Sequence, residues 1–277
     1  MIRTVPHARL VIGQTDLDVM ETVDTLARHS GPRGEVVLRR RSGAGPDVEE
    51  LIVNGVFAMD STDTWTERRL AELALTGRHR ALPGDVARAA VVQGGRPPCS
   101  AQAPRRVLVG GLGLGYTAYQ LLQADVDHLD VVEIEDCLVE WAYARLTPTL
   151  AAVATDPRVT LHVADVSAVL AGLGGGPHGP WDAIVLDVDN GPDFLIHGAN
   201  SVLYAEPSLV ATYAALSEGG TLAIWCQGPV PDLLATLQRI SATARPHPYR
   251  RDRQGRRLSY VIYTVTKPDA TDRAEQE

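Results

Sequence analysis

The sequence predicts an α/β protein: a doubly wound, mostly parallel sheet with a small N-terminal β-rich domain in front of it. Three observations predict this. From residue 105 onward, short apolar runs alternate with helix-periodic segments, as strands covered on both faces by helices do. A glycine-dense turn, with Gly110, Gly111, Gly113 and Gly115, joins the first such run to the first helical segment. Before residue 77 two β-rich runs instead flank a Gly/Pro turn cluster.

In chain order, residues 35–41 alternate and residues 49–54 follow the cluster SGAGPD, which reads as a hairpin. Residues 11–14 are readable as an earlier strand, and residues 15–30 as a short helix or as part of the β unit. Residues 66–76 carry apolar side chains at helical spacing, with Thr64 or Thr66 as cap. Residues 77–104, rich in Gly, Pro and Arg, read as a linker or flap, or as a plain surface loop. The larger part then gives strands at 106–109, 128–133, 159–163, 181–186 and 220–225. Helices fall at 116–124, 136–146, just after Asp165, at 202–216 and at 231–240. A late strand at 259–266 is consistent with a reversed last strand. The domains expected are 1–76 (N-terminal β-hairpin domain), 77–104 (linker or flap), 105–267 (catalytic nucleotide-type domain) and 268–277 (polar, disordered tail).

Composition excludes several classes of function. With only two Phe and 5% aromatic residues, the core has to be built from Ala, Val and Leu. A net charge of −8 argues against a nucleic-acid partner and against a polybasic membrane anchor. No run approaches the roughly 18 apolar residues that span a bilayer, and the first residues lack a secretory apolar core. Cys99, Cys137 and Cys226 form no metal-type pair and cannot all pair with one another, which fits a reducing cytoplasm. No His/Cys/Asp spacing suggests a metal. The expectation is a cytoplasmic enzyme acting on small molecules, without membrane, nucleic acid or metal.

The chemistry gathers at the C-terminal ends of successive strands. The glycine turn lets a ligand lie against the backbone, although tight strand-to-helix turns use glycine anyway. Glu133 ends the second strand, where a carboxylate can accept both hydroxyls of a ribose; the plain alternative is a surface or capping acid, the reading given to Glu135 and Asp136. Asp165 ends the third strand and can accept from an adenine amino group or cap the next helix. Asp187 ends the fourth, where such sheets place a reaction centre. Four such features at four strand ends point to an adenosine-type ligand. The turn also fits a loose dinucleotide fingerprint through Gly113, Gly115 and Ala118, but the second acid, Asp165, and the reversed last strand favour AdoMet over NAD.

With these residues in view, the run from Leu51 to about Lys267 resembles the spermidine synthase (polyamine aminopropyltransferase) family, which has a Rossmann-like AdoMet methyltransferase fold. The matching pieces are LIVNGVFAMDSTD, RVLVGGLGLG, VVEIE, DPRVTLHVADV, WDAIVLDVDNGP and ALSEGGTLAIW, in the family's order. The resemblance implies that Gly110, Gly111, Gly113 and Gly115 form the cofactor loop. It implies that Glu133 holds the ribose, that Asp165 with Val166 meets the adenine, and that Asp187 helps deprotonate an attacking amine. It also implies a homodimer, in which Arg39 to Arg41 would pair across the interface or simply form a solvated edge.

The departures from the family pattern matter as much. The family's loop reads GGGDGG, and its Asp binds the ammonium of decarboxylated AdoMet; here that position is Gly113. An Asp there would repel the carboxylate of intact AdoMet by about 4 kcal/mol at ~4 Å and an effective dielectric of about 20. Plant putrescine N-methyltransferases look like the same family with this Asp lost. On the acceptor side DSSDP becomes DVDNG, so Asn190 replaces an acid and Asp189 restores one charge. The usual glutamine corresponds to Ala58, and the EFxYxE segment to Trp65, Glu67 and Arg69. Asp189 and His197 are further candidates for acid–base work beside Asp187; His162, Tyr204 and Trp225 read as packing residues, and Arg68 and Arg69 as solvated helix positions. The function expected is an AdoMet-dependent transferase that uses intact AdoMet as electrophile, by methyl transfer or by carbon-chain transfer or cyclisation, with a small acceptor such as an amine. The alternatives are an authentic aminopropyltransferase using decarboxylated AdoMet, with Asp189, Asp193 or Glu67 as acceptor contacts, and a non-catalytic nucleoside-binding protein.

Overall fold

The computed structural model describes residues 21–76, 105–173, 176–188, 191–192, 195, 198–253 and 256–269. The expected strand at 11–14, the linker at 77–104, Cys99 and the tail beyond residue 269 lie outside them.

Four strands, β1 (Thr22–Gly31), β2 (Gly34–Ser42), β3 (Val48–Val53) and β4 (Val56–Asp60), form an antiparallel sheet in sequence order. Of the two readings left open for residues 15–30, the strand holds over 22–31: β1 pairs along its whole length with β2. Between β3 and β4, Asn54 and Gly55 both take positive φ (54° and 76°), the twist a two-residue hairpin turn requires.

The second sheet has seven strands in the order β10-β11-β9-β8-β5-β6-β7. Its parallel part is β5 (Arg106–Gly110), β6 (His128–Glu133), β7 (Val159–Val163), β8 (Trp181–Leu186) and β9 (Leu216–Cys226). The last strand, β11 (Arg256–Thr266), runs antiparallel to β9, as its position predicted. The edge strand β10 (Arg245–Arg253) had no counterpart in the sequence reading, because RPHPYRRDR is too polar and proline-rich to read as a strand. Prolines are tolerated at an edge, where no second neighbour needs the missing N–H.

The helices are α1 (Trp65–Ala74), α2 (Tyr116–Leu122), α3 (Asp136–Tyr143), α4 (Pro148–Thr155), α5 (Val166–Leu170), α6 (Glu206–Ala214) and α7 (Pro231–Ile240). The single helix expected over 202–216 is instead a 3-10 turn, Gly198–Tyr204, followed by α6, and Leu216 already belongs to β9. Pro207 at the start of α6 is the cause: it lacks the N–H that would carry the preceding turn forward. The segment expected as one helix over 136–146 ends at Tyr143, and Pro148 starts α4 with Thr147 as cap.

Alternation along the central strands builds two cores. Val107 and Val109 face one side with α2, α3 and α4, and Leu108 faces the other with α5, α6 and α7. Leu38 and Leu51 of the small sheet join the first core, and α1 packs on α2, β8 and β9. Each fully buried aliphatic side chain contributes about 1.5–3 kcal/mol, so the small sheet is fastened by its own apolar face. A buried polar hub completes the frame. Asp130 accepts from Trp181 Nε1 (3.0 Å) and Arg106 Nη2 (3.0 Å) and pairs with His162 (3.0 Å) and His128 (3.2 Å). Burial pushes its carboxyl up, but these bonds outweigh that and hold it below the usual value. His162 is thereby committed to structure.

Candidate active site

A cleft of about 620 Å³ opens between the C-terminal ends of β5–β8 and the inner face formed by β2–β4 and α1. That volume suits a nucleoside-sized ligand with a small second substrate. Its two walls differ in construction.

The first wall is made of backbone and three acids. After β5 the chain turns through Gly111, Gly113 and Gly115, all with positive φ (94°, 50° and 86°). Gly111 cannot carry a side chain: a Cβ would stand 2.4 Å from the Asp187 carbonyl oxygen. The glycine turn and Asp187 are thus in direct backbone contact, reinforced by the Asp187 N–H donating to the Gly110 carbonyl at 3.0 Å. At Gly113 a Cβ would lie 2.7 Å from Met59 Sδ, and the same sulfur accepts the Leu114 N–H at 3.3 Å. Met59, from β4, therefore fills the space a larger residue 113 would use. Gly111 and Gly113 line the cleft. Gly110 sits behind it, where a Cβ would press on Val166 and Leu186, and Gly115 precedes the first turn of α2 near Leu150 and Val153.

Glu133, at the end of β6, is buried and turns both oxygens to backbone donors: Oε2 accepts the Leu112 N–H (2.7 Å) and Oε1 the Glu135 N–H (2.8 Å). Burial pushes its carboxyl up, and these bonds together with one from the Gly113 N–H pull it back. Each carboxylate oxygen carries two lone pairs, so acceptor capacity remains toward the cleft. Asp165 caps the next helix, one of its two sequence readings, and also reaches the cleft. Its Oδ1 accepts the Ser167 N–H (2.8 Å) and hydroxyl (2.7 Å), capping α5, while the residue lines the cleft beside Val166. Glu135, read as a surface acid, is in fact buried and lines the cleft, held by Arg33 Nε at 3.1 Å. Asp136 is exposed as expected. Glu135, Asp136 and Cys137 bring three ligand-type atoms within 4.8 Å of one another. Burial, and then the adjacent acids, push the Cys137 thiol up to about 12.

The second wall is made of side chains. Asp187 follows β8 and accepts the Thr117 hydroxyl at 2.5 Å on Oδ2. Burial pushes its carboxyl up, and the Thr117 bond moderates this. Glu67, in the first turn of α1, lines the same cleft and accepts the Thr66 hydroxyl at 2.8 Å. Burial first, and then the Asp187 charge, push the Glu67 carboxyl up to about 7. Asp63 is bound by Arg251 (3.1 Å), and the buried Glu50 by Arg39 and Arg41 (2.5 and 3.1 Å). Phe57, Ala58, Trp225 and Tyr260 add apolar surface, and Trp225 stacks against Tyr260 at 5.6 Å.

Gly111, Gly113, Glu133, Asp165, Val166 and Asp187 thus meet in one cleft. Asp189, Asn190, Asp193 and His197 lie outside the described residues. Tyr204 donates to the Val188 carbonyl (2.7 Å) and packs in the core, whereas Trp225 lines the cleft as well as stacking. Arg68 pairs with Glu72 on the surface. Arg69 is half-buried: it also pairs with Glu72 and lays its guanidinium near Trp65 and Tyr249 (6.0 and 5.7 Å). Met59 was missed as a cleft residue because it reaches the glycine turn by packing across 55 positions of sequence, and Glu135, two residues past Glu133, because it was read as a surface acid. The proline-free run of β4 with the Asn-Gly turn before it was the available signal for Met59.

Comparison with known proteins agrees with this geometry. A family model described as a spermine/spermidine synthase domain matches residues 94–237, more than half of the chain. Putrescine N-methyltransferase 1 of Nicotiana tabacum is 32% identical over 120 residues, covering 43% of this chain and 30% of that protein. The spermidine synthase of Coffea arabica is 29% identical over 151 residues, covering 52% and 45%. The chain thus spans less than half the length of these curated relatives. A spermidine synthase solved with the transition-state analogue AdoDATO superposes over 96% of this chain and 83% of its own, with a TM-score of 0.63 at 17% identity. The spermidine synthase of Thermotoga maritima gives 0.60 at 18% identity, over 96% and 82%. At that identity the two structures bear on the fold alone.

Proposed function

Because the chain belongs to the spermine/spermidine synthase family, we propose that it is an AdoMet-dependent transferase that takes intact AdoMet and methylates a small amine. The observation that carries the choice of donor is Gly113 under Met59. The family resemblance assigns this position to an acid that binds decarboxylated AdoMet; here the position has no side chain, and a methionine sulfur occupies the space. Without that acid, the repulsion against the donor carboxylate, about 4 kcal/mol at ~4 Å and a dielectric near 20, is absent. The sequence similarity to putrescine N-methyltransferases supports the same reading.

The residues present fit such a donor. Gly111 leaves a backbone cradle that a Cβ would fill, and Glu133 retains lone pairs for a ribose. The second oxygen of Asp165 is the acceptor suited to an adenine amino group. AdoMet supplies an electrophilic methyl group on a sulfonium. The protein's part is then to hold the acceptor nitrogen in line and manage its proton. Asp187, fixed by Thr117 and by its backbone contact with the glycine turn, would orient or deprotonate that nitrogen.

Incubation with AdoMet and putrescine, followed by analysis of the nucleoside product, tests the reading. S-adenosylhomocysteine is the expected product. Methylthioadenosine would mean transfer of the carbon chain instead, and product formed only from decarboxylated AdoMet would return the chain to aminopropyl transfer.

A further inference from the structure

Two buried side-chain donors have no hydrogen-bond partner among the described residues, Trp225 Nε1 and Arg251 Nε. Buried donors in folded proteins are nearly always paired, so each calls for a cause. Arg251 is already committed: its guanidinium binds Asp63, lies over the Trp65 ring at 5.0 Å, and does not line the cleft. Trp225 does line the cleft, and no described residue accepts from it.

The strand register shows where this indole sits. Leu186 of β8 is paired with Ile224 of β9. The next residues, Asp187 and Trp225, therefore stand side by side at the ends of neighbouring parallel strands, about 4.8 Å apart. On its other side Trp225 is paired with Ile262 of β11, and Tyr260, two residues earlier, is its diagonal neighbour on the same face. The two rings meet at 5.6 Å with a tilt of 37°. Phe57 of β4 lines the same cleft and is 46% exposed. The chain has only two Phe, and this one is left largely uncovered, where a ligand that covers it removes apolar surface from water. Three aromatic side chains and one unpaired donor thus line the cleft that Asp187 also lines.

An aliphatic diamine answers neither feature. Its methylenes offer nothing to the indole N–H, and its second ammonium is a donor, as the indole is. A ring with an oxygen substituent answers both. We propose that the preferred acceptor is an arylalkylamine carrying an oxygen on its ring, and that Trp225, Tyr260 and Phe57 select it. This rests on the reading of the chain as an amine-directed transferase, with the acceptor nitrogen at Asp187. The aryl body packs against Phe57 and Tyr260 at the edge of the indole, and its oxygen accepts the hydrogen bond from Trp225 Nε1. A short carbon linker joins ring to nitrogen, because Trp225 and Asp187 are neighbours across one strand spacing. Putrescine is a smaller acceptor that leaves the aromatic part of the cleft unfilled.

Calorimetry on the full chain tests this without turnover, with S-adenosylhomocysteine present and tyramine, phenethylamine, putrescine and 4-methylphenol as probes. Tyramine should bind about tenfold more tightly than phenethylamine, the worth of one hydrogen bond to a buried donor, and more tightly than putrescine. Trp225→Phe keeps a ring and removes the N–H, and should bring tyramine and phenethylamine within about twofold of each other. Phe57→Ala, at an exposed position, should weaken both by about three- to tenfold. In turnover with whichever donor the protein accepts, kcat/KM should fall from tyramine to phenethylamine to putrescine. Equal binding of tyramine and phenethylamine by the wild type, or putrescine bound and turned over best, would overturn the inference and leave amine-directed transfer intact. Binding of neither tyramine nor 4-methylphenol would overturn it outright. The phenol, which has the ring and the oxygen but no nitrogen, separates the two readings. If it binds, weakens about tenfold in Trp225→Phe, and no amine is methylated, the aryl subsite stands and the transferase reading falls.

Discussion

The two walls of the cleft are built on opposite plans. The wall proposed for the donor is made where consecutive strand–turn–helix units end: Gly111 and Gly113 after β5, Glu133 after β6 and Asp165 after β7. Its contacts are local, and much of its recognition surface is main chain. The wall proposed for the acceptor is assembled from Met59 on β4, Glu67 on α1 and Asp187 after β8, residues that meet because α1 and the small sheet pack onto the large one. The second wall meets the first at single side chains, as where Met59 packs against Gly113.

Substitutions on each side should break this division or sharpen it. The largest effect is expected at the junction of the walls. Asp187→Asn should lower kcat/KM by about 10²–10⁴ while leaving the Kd for AdoMet within about twofold, measured by steady-state kinetics and calorimetry. A parallel loss of donor binding would mean that the walls are not separable at this residue. On the donor side, Glu133→Gln removes one charge from a carboxylate with three backbone partners. It should weaken AdoMet about ten- to hundredfold, the worth of about 1.5–3 kcal/mol for hydrogen bonds to a charged group. Binding of putrescine should not change.

The smallest effect is on stability, and its sign is set by Glu67. The folded carboxyl keeps its proton up to about pH 7, against an ordinary value of 4.5. The native state is therefore favoured while both forms are protonated, and loses that advantage as pH rises from about 4.5 through about 7. Glu67→Gln should accordingly raise the Tm relative to wild type at pH 8 and leave it nearly unchanged at pH 5. An equal shift at both values would show that the carboxyl is not perturbed in the folded protein.

The same contrast explains what could be read from the sequence. The parallel strands were legible because strands buried on both faces are short apolar runs, and the glycine turn marks where the first of them stops. Elements at the margins were not. β10 carries Pro246, Pro248 and four arginines, and takes its strand form from pairing with β11 rather than from its own composition. Pro207 breaks what periodicity alone extends into one helix. Glu133, Asp165 and Asp187 could be singled out because each ends a strand. Met59 carries no such local mark, and Glu67 was visible only as a possible acceptor contact. An acid in the first turn of a helix is otherwise a routine complement to the helix dipole. What sets Glu67 apart is its half-buried place on the cleft and the influence of a carboxylate 120 positions away in sequence.

The most direct test of the account concerns the donor. Calorimetry on the wild-type protein with AdoMet and decarboxylated AdoMet, repeated on Gly113→Asp combined with Met59→Ala, compares the loop with and without its acid; the second change clears the 2.7 Å contact. Wild type should bind AdoMet more tightly, and the double variant should reverse the order. Tighter binding of decarboxylated AdoMet by the wild-type protein would contradict the account.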